Sequence, residues 1–159
     1  MSEKKATSDA LCGEQTAGKY DALLLQNQLC FPLYAVSKEV VRLYKPFLDE
    51  IGLTYTQYIA MMVLWEKRSL TVKELGEYLY LDSGTLTPLL KKMEAQGLVT
   101  RQRNAADERS VIVSLTAEGD NLRDSAAKIP DKIGGCLPLS RQEAATLYRL
   151  LYQVLHGIE

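Results

Sequence analysis

The sequence predicts a mainly α-helical fold with a small β-wing, and three observations within residues 71–115 carry that expectation. Thr71 and Glu74 make a capping box that starts a short helix, with Val72, Leu75 and Leu79 on one face. Asp82-Ser83-Gly84 then breaks the pattern and supplies the next cap. A second helix follows, with Leu86, Leu89, Leu90 and Met93 at i, i+3, i+4, i+7 spacing and Gly97 as its left-handed stop. Residues 99–102 read as a strand, and Val111, Val113 and Leu115 alternate with Ser110, Ile112 and Ser114. Residues 103–109, between the strands, are too polar to pack. Two helices joined by a tight turn are a helix-turn-helix, and a following hairpin with arginines at its tip makes a winged helix, a DNA-binding arrangement. An ordinary α+β core with a solvated loop would show much of the same pattern.

Taken in order, residues 1–19 are polar and read as a disordered tail in which Cys12 is an incidental thiol. Residues 20–49 are helical by pattern. Leu25, Leu29, Leu33, Val36, Val40 and Leu48 spread over a band wide enough for burial on more than one side, as at a subunit contact. Pro32 interrupts that pattern, so either the main helix starts near it or two helical segments meet there. Pro46 and Gly52 mark the far end. Residues 56–66 form the next helix, with Thr56 as a cap, Ile59, Met62 and Val63 inward and Trp65 in the core; residues 67–70 are a turn.

After the hairpin, Thr116 caps a helix running to Ala127, slightly weakened by Gly119 and ended by Ile129-Pro130. Residues 131–139 contain Gly134, Gly135 and Pro138 and read as an irregular, mobile connection. Ser140 and Glu143 form another capping box. The last helix carries Leu147, Leu150, Leu151, Val154, Leu155 and Ile158, a long stripe for a terminal helix, and with the first helix it suits a two-fold dimer. Residues 20–55 and 116–159 are thus expected to form a helical dimerisation region around a DNA-binding winged helix over 56–115.

At 159 residues, with 47% apolar and 25% charged residues, the chain has the makings of one globular domain. Its net charge of -1 means that any phosphate-binding field is local. Lys91, Lys92, Arg101, Arg103 and Arg109 stand against Glu94, Asp107 and Glu108 there, a small excess. No apolar run approaches a membrane span and no leader pattern is visible, so the expected compartment is the cytoplasm. Three cysteines, an odd number away from zinc-ligand spacing, with a single histidine, His156, argue against a disulfide scaffold and a metal site, and no cofactor is expected.

Two groups of residues suggest chemistry. Ser83, Thr85 and Thr87 lie near a helix N-terminus, where hydroxyls and backbone N–H groups meet phosphates or base edges, and Lys91 and Lys92 follow a turn later. Capping by Ser83 and a solvated lysine face are the plain alternatives. In the wing, Arg103 and Arg109 carry positive charge; Arg109 suits a narrow minor groove, with Asp107 holding it or merely pairing with it at the surface. The second group is Cys30 with tyrosines. Tyr34 is one turn on; Tyr44, fourteen residues on, would lie about 21 Å along a continuous helix at ~1.5 Å per residue, reachable only from a partner in an antiparallel dimer. Tyr55 starts the following helix. Phenol donors favour a thiolate, and a thiolate attacks peroxides. A lone cysteine on an apolar helix is more often a small hydrophobe.

These residues resemble a known family. The winged helix with Asp107-Glu108-Arg109 is similar to that of the MarR family of bacterial regulators. Asn27-Gln28-Leu29-Cys30-Phe31, Tyr44-Lys45-Pro46, Thr54-Tyr55, Tyr58, the run from Leu81 to Leu90 and Asp107-Glu108-Arg109-Ser110 resemble its organic hydroperoxide repressor branch. The resemblance covers the chain from about Leu23 onward. It implies a MarR-like homodimer that represses a peroxide-detoxifying gene by binding double-stranded operator DNA, and lets go when organic hydroperoxide oxidises it. It implies Cys30 as the peroxidatic thiol, with Tyr34, Tyr44 and Tyr55 at the branch's thiol-region tyrosines. Cys136 stands where two-cysteine members keep a resolving cysteine; one-cysteine members cap the sulfenic acid with a small thiol instead. Two other readings stand beside this one: a MarR-type regulator released by a small phenolic ligand, and a thiol peroxidase using Cys30. The second lacks a thioredoxin-like pattern or Cys-x-x-Cys pair and leaves the winged helix unexplained, so no enzyme is expected.

Overall fold

The computed structural model describes residues 18–158, so Cys12 and nearly all of the expected tail lie outside the described residues. The chain divides into two compact units, one ending at Val40 and one starting at Val41. The first holds two 3-10 turns, Asp21–Leu23 and Leu25–Asn27, and the opening turns of α1 (Cys30–Asp49), which runs on into the second. Pro32 is the third residue of α1, in the first turn, where a missing N–H leaves no bond unmade. The main helix therefore begins just before Pro32. Pro46 lies inside α1 rather than at its end.

The second unit continues with α2 (Tyr55–Lys67), β1 (Ser69–Thr71), α3 (Val72–Leu79), α4 (Ser83–Ala95), β2 (Val99–Asn104), β3 (Asp107–Leu115), α5 (Ala117–Ala126), α6 (Ile129–Gly134) and α7 (Arg141–Gly157). Thr54, not Thr56, caps α2: its hydroxyl accepts from the Gln57 N–H at 3.4 Å while its own N–H donates to Gln57 Oε1 at 2.8 Å. That start turns Tyr58, Met61, Leu64 and Trp65 into the core and leaves Met62 48% exposed, against the inward position expected for it. The capping boxes at Thr71 and Ser140 form as their spacing predicts.

The sheet has three antiparallel strands in the order β1-β3-β2. Residues 67–70, expected as a turn, lead into β1. Leu70 pairs with Val113 there, and both are buried. Three residues are too few to show alternation, so only the pairing reveals the strand. The hairpin is also longer than its polar sequence suggests: β2 and β3 reach Asn104 and Asp107, leaving Ala105-Ala106 as the turn, with a register shift between Arg103 and Asn104.

Ile129-Pro130 opens α6 instead of only ending α5, because Pro130 fits a first helical turn and Ile129 and Ile133 bury one turn apart. The irregular connection shrinks to residues 135–139. Gly119, expected to weaken α5, is required by it. A Cβ there would lie 2.2 Å from the Leu98 carbonyl oxygen, and the Gly119 carbonyl accepts the Trp65 indole N–H at 2.9 Å. The core runs from Leu48 through α2, α3 and α4 to Ile133. By contrast α7 has no buried residue, and Leu147, Leu150, Leu151 and Val154 are 40–48% exposed.

Gly119→Ala is expected to destabilise the chain by about 1–3 kcal/mol, because backbone must shift to admit the methyl group. Gly134→Ala, where an added Cβ meets nothing within 4 Å, is the control and should cost nothing. Urea unfolding of both measures the difference; equal midpoints would show that α5 does not rest on the Leu98 turn as described.

Candidate functional site

The recognition surface starts at Asp82. Its carboxylate accepts the Thr85 N–H at 2.8 Å and lies within 3.3 Å of the Thr85 hydroxyl, capping α4 in place of Ser83. The Thr85 N–H bond is the main reason the Asp82 carboxyl sits below its ordinary range. Leu86, Leu90 and Met93 are buried and fix the roll of α4. Ser83, Thr85, Thr87, Lys91 and Lys92 are consequently all exposed on the other side. The Thr87 hydroxyl donates back to the Ser83 carbonyl at 2.7 Å, so Ser83 and the two lysines offer the freer side chains. At the other end, the Gln96, Gly97 and Leu98 N–H groups bond carbonyls of the last turn, with Gly97 at φ 76°.

The wing is latched to this helix. Arg101 Nε and Nη2 reach Glu94 Oε2 at 3.0 and 2.7 Å, and the Arg101 N–H reaches Oε1 at 3.1 Å. Arg101 thus holds β2 against α4 and lowers the Glu94 carboxyl, chiefly through its side-chain hydrogen bonds. The other positive charges of the wing are Arg103 and Arg109, both exposed. Asp107 accepts the backbone N–H of Arg109 at 3.1 Å, so it shapes the tip through the main chain. A groove of about 840 Å³ lies between α3, α4 and the hairpin, with Ser83 and Thr87 on one wall and Asp107 and Arg109 on the other.

The thiol residues fall in both units. Cys30 is the first residue of α1 and is exposed, and Tyr34 is 61% exposed one turn later. The Lys38 ammonium stands 5.3 Å from the Tyr34 ring centroid. Tyr44 and Tyr55 belong to the second unit, where they meet edge to face with centroids 5.0 Å apart. Tyr58 joins them, 5.9 Å from Tyr44, and leans in turn on Trp65 at 6.4 Å. Burial pushes all three phenols above their ordinary value, with mutual repulsion adding at Tyr44 and Tyr58. They stay neutral hydrogen-bond donors across the physiological range. Cys136 follows α6, exposed, and its thiol donates to the Lys132 carbonyl at 3.3 Å. Among the described residues no group of three His, Cys, Asp or Glu side chains is placed to hold a metal.

Residues 42–125 match the family model described as transcriptional regulator SarA/Rot. An organic hydroperoxide resistance transcriptional regulator of Bacillus subtilis is 53% identical over 140 residues, 88% of this chain and 95% of its own. The chain belongs to the MarR family of transcriptional regulators, in the organic hydroperoxide branch. Solved MarR-family structures agree. AbfR of Staphylococcus epidermidis is 35% identical with a TM-score of 0.70, covering 88% of this chain and 97% of its own. A MarR mutant from E. coli, complexed with operator DNA, is 26% identical with a TM-score of 0.76, covering 87% and 99%.

Within this MarR-family chain, Tyr58 was visible in the sequence as part of the branch motif, but nothing in its spacing tied it to Tyr44. The sequence counts Arg101 only as one of five local positive charges; its pairing with Glu94, seven residues away across the helix-to-strand turn, has no spacing signal. The raised phenols have a testable consequence. Below about pH 10 they are protonated in folded and unfolded chains alike; above it the unfolded chain loses protons that the folded chain keeps. Stability is therefore fully present below pH 10 and falls as pH rises beyond it. Tyr44→Phe should flatten that fall, as read from unfolding midpoints between pH 9 and 11. An unchanged slope would mean the phenols are not buried together.

Proposed function

We propose that this MarR-family chain is a peroxide-sensing transcriptional repressor that binds operator DNA as a reduced homodimer and is released when organic hydroperoxide oxidises Cys30. The observation that carries this reading is Cys30, an exposed thiol on the first residue of α1, with Tyr34 one turn further on. The kinship supports it. The Bacillus subtilis relative is a hydroperoxide resistance regulator, and AbfR has been solved reduced and bound to DNA, overoxidized and bound to DNA, and with its disulfide formed.

Residues 20–55 and 116–159 build the dimer, and the exposed apolar side chains of α7 supply its contact. Residues 56–115 bind DNA. Ser83, Thr85 and Thr87 meet the major groove, Lys91, Lys92 and Arg103 meet phosphates, and Arg109, held by Asp107, enters the minor groove. The site of action is the cytoplasm, where thiols are kept reduced. Among the described residues no helix is long and apolar enough to cross a membrane.

The Cys30 thiolate attacks the hydrogen-bearing oxygen of the hydroperoxide, the O–O bond breaks, and the alkoxide leaves as the alcohol with a proton from water, giving a sulfenic acid. Tyr34, with Tyr44 and Tyr55 of the partner subunit, donates hydrogen bonds to the thiolate. The Cys136 thiol of the other subunit then attacks the Cys30 sulfur; its proton and the sulfenic hydroxyl leave together as water, and the S–S bond formed is an intersubunit disulfide. Closing that bond brings the two Cα atoms within roughly 7 Å and shifts the spacing of the two winged helices.

Cys30→Ser should bind operator DNA normally and stay bound with hydroperoxide, in a gel-shift titration. A non-reducing gel of oxidised protein should show a dimer band that is absent from both Cys30→Ser and Cys136→Ser. Release of Cys30→Ser by peroxide would place the sensor elsewhere. A monomer band with a small-thiol adduct would remove Cys136 from the reaction.

The two basic elements differ in kind. Arg109→Ala should weaken operator binding more than Lys92→Ala, because a groove-inserted arginine gains from both shape and charge. Lys92→Ala should lower the slope of log affinity against log salt by about one phosphate contact at most. Binding isotherms at several salt concentrations check this, and equal losses with unchanged slopes would overturn the assigned use of the wing.

A further inference from the structure

Gln57 is the one buried polar side chain among the described residues, 1% exposed, and neither the DNA surface nor the thiol chemistry uses it. Its Oε1 accepts the Thr54 N–H at 2.8 Å and the Thr54 hydroxyl at 3.2 Å, which closes the N-terminus of α2. Its Nε2 points the other way and donates to Gln96 Oε1 at 2.7 Å. Gln96 is the C-cap of α4, bonded through its own N–H to the last turn of that helix. Its Nε2 lies 3.4 Å from the Gly52 carbonyl, beyond the end of α1. One amide pair therefore ties the start of α2 to the end of the recognition helix, thirty-nine residues apart in sequence.

Gln57 stands between Tyr55 and Tyr58, whose rings both pack on Tyr44. We propose that the Gln57–Gln96 bridge couples this tyrosine cluster to the recognition helix, so that both glutamines are positioning residues for DNA release. The proposal rests on the peroxide-repressor reading for its signal. Its physical basis is geometric. The apolar contacts of Leu86, Leu90 and Met93 are non-directional and tolerate a small slide of α4. A hydrogen bond of 2.7 Å does not, since a displacement of about 1 Å takes it past bonding distance. Breaking it strands the Nε2 of a buried amide, an outcome folded proteins avoid. A shift of α2 at its tyrosine end is thus followed by the C-terminal turn of α4.

Gln96 is exposed, which makes Gln96→Met the useful variant: it keeps the length and helix propensity and removes the acceptor. Reduced Gln96→Met should bind operator within about twofold of the unchanged protein, and Cys30 should lose its free thiol to cumene hydroperoxide at the same rate. The rise in Kd on oxidation should be smaller by about tenfold, within the usual range of coupling between sites. Gln96→Glu restores an acceptor for Gln57 Nε2 and should restore the response, which a general loss of packing would not. A full response in Gln96→Met overturns the proposal. A second measurement does not involve peroxide. Tyr55→Phe should shift the amide resonances of Lys92, Met93 and Ala95 in the Gln96 protein and leave them unmoved in Gln96→Met. Equal shifts in both backgrounds also overturn the bridge. If the unchanged protein keeps its operator affinity after Cys30 is oxidised, the peroxide reading falls, and the resonance shifts alone decide the bridge.

Discussion

The exposed face of α4 is set by how closely α3 and α4 cross, and that distance is set by the absence of a side chain at Gly76. A Cβ there would stand 2.7 Å from the Leu81 carbonyl oxygen and 3.2 Å from Leu86 Cδ1. Leu86 is the first of the three side chains that anchor α4. Pushing it out would roll the helix and change which of Ser83, Thr85 and Thr87 face outward. The Asp82 cap and the Glu94–Arg101 latch refine a position that this contact first makes available. Helix depth, helix roll and wing placement thus descend from one close approach, with Gly119 playing the same part beneath Trp65 and the Leu98 turn.

Charge follows from this frame. A chain with net charge -1 has no general attraction for a polyanion. The basic side chains must be sorted by position. Arg101 is spent inside the protein and Arg68 pairs with Asp120 at 2.6 Å. Lys73, on the groove wall, stands 3.9 Å from Glu77. Arg109 on the opposite wall, with Lys91, Lys92 and Arg103 elsewhere on helix and wing, makes up the rest of the positive charge of this face among the described residues. Such a distribution favours contacts on a curved, extended surface over a point anion.

Much of this was legible in the sequence because the signals were local. Capping boxes, the four-residue apolar stripe of α4 and the alternation of β3 each lie within ten residues, and each formed. What escaped was decided by partners far along the chain. The strand at Ser69–Thr71 exists because Val113 is opposite it. Met61 rather than Met62 faces inward because the cap at Thr54 sets the phase of α2. Gly119 reads as a helix defect until Leu98 is seen above it. The candidate site divides the same way. Cys30, Tyr34 and the recognition-helix hydroxyls stand out as motifs, whereas Gln57, Gln96 and the tyrosine packing appear only when α1, α2 and α4 are folded. An isolated glutamine carries no motif, and its capping role conceals the second bond it makes.

The distribution of apolar surface connects the proposed sensor to the proposed output. The core from Leu48 to Ile133 is closed within the second unit, so the winged helix needs no partner for its own packing. Helix α7 is different: it is well capped and regular, yet it leaves its leucines in water. In the proposed dimer those leucines hold the subunits together, and non-directional contacts of that kind allow helices to slide at little cost. Directional bonds do not slide. The division of labour that results is physical: an adaptable apolar contact between subunits, a thiol whose oxidation biases it, and a hydrogen-bonded winged helix that moves as one body. In the proposed repressor such a division would displace the winged helix whole and leave its DNA-facing side chains in their arrangement, ready to rebind on reduction.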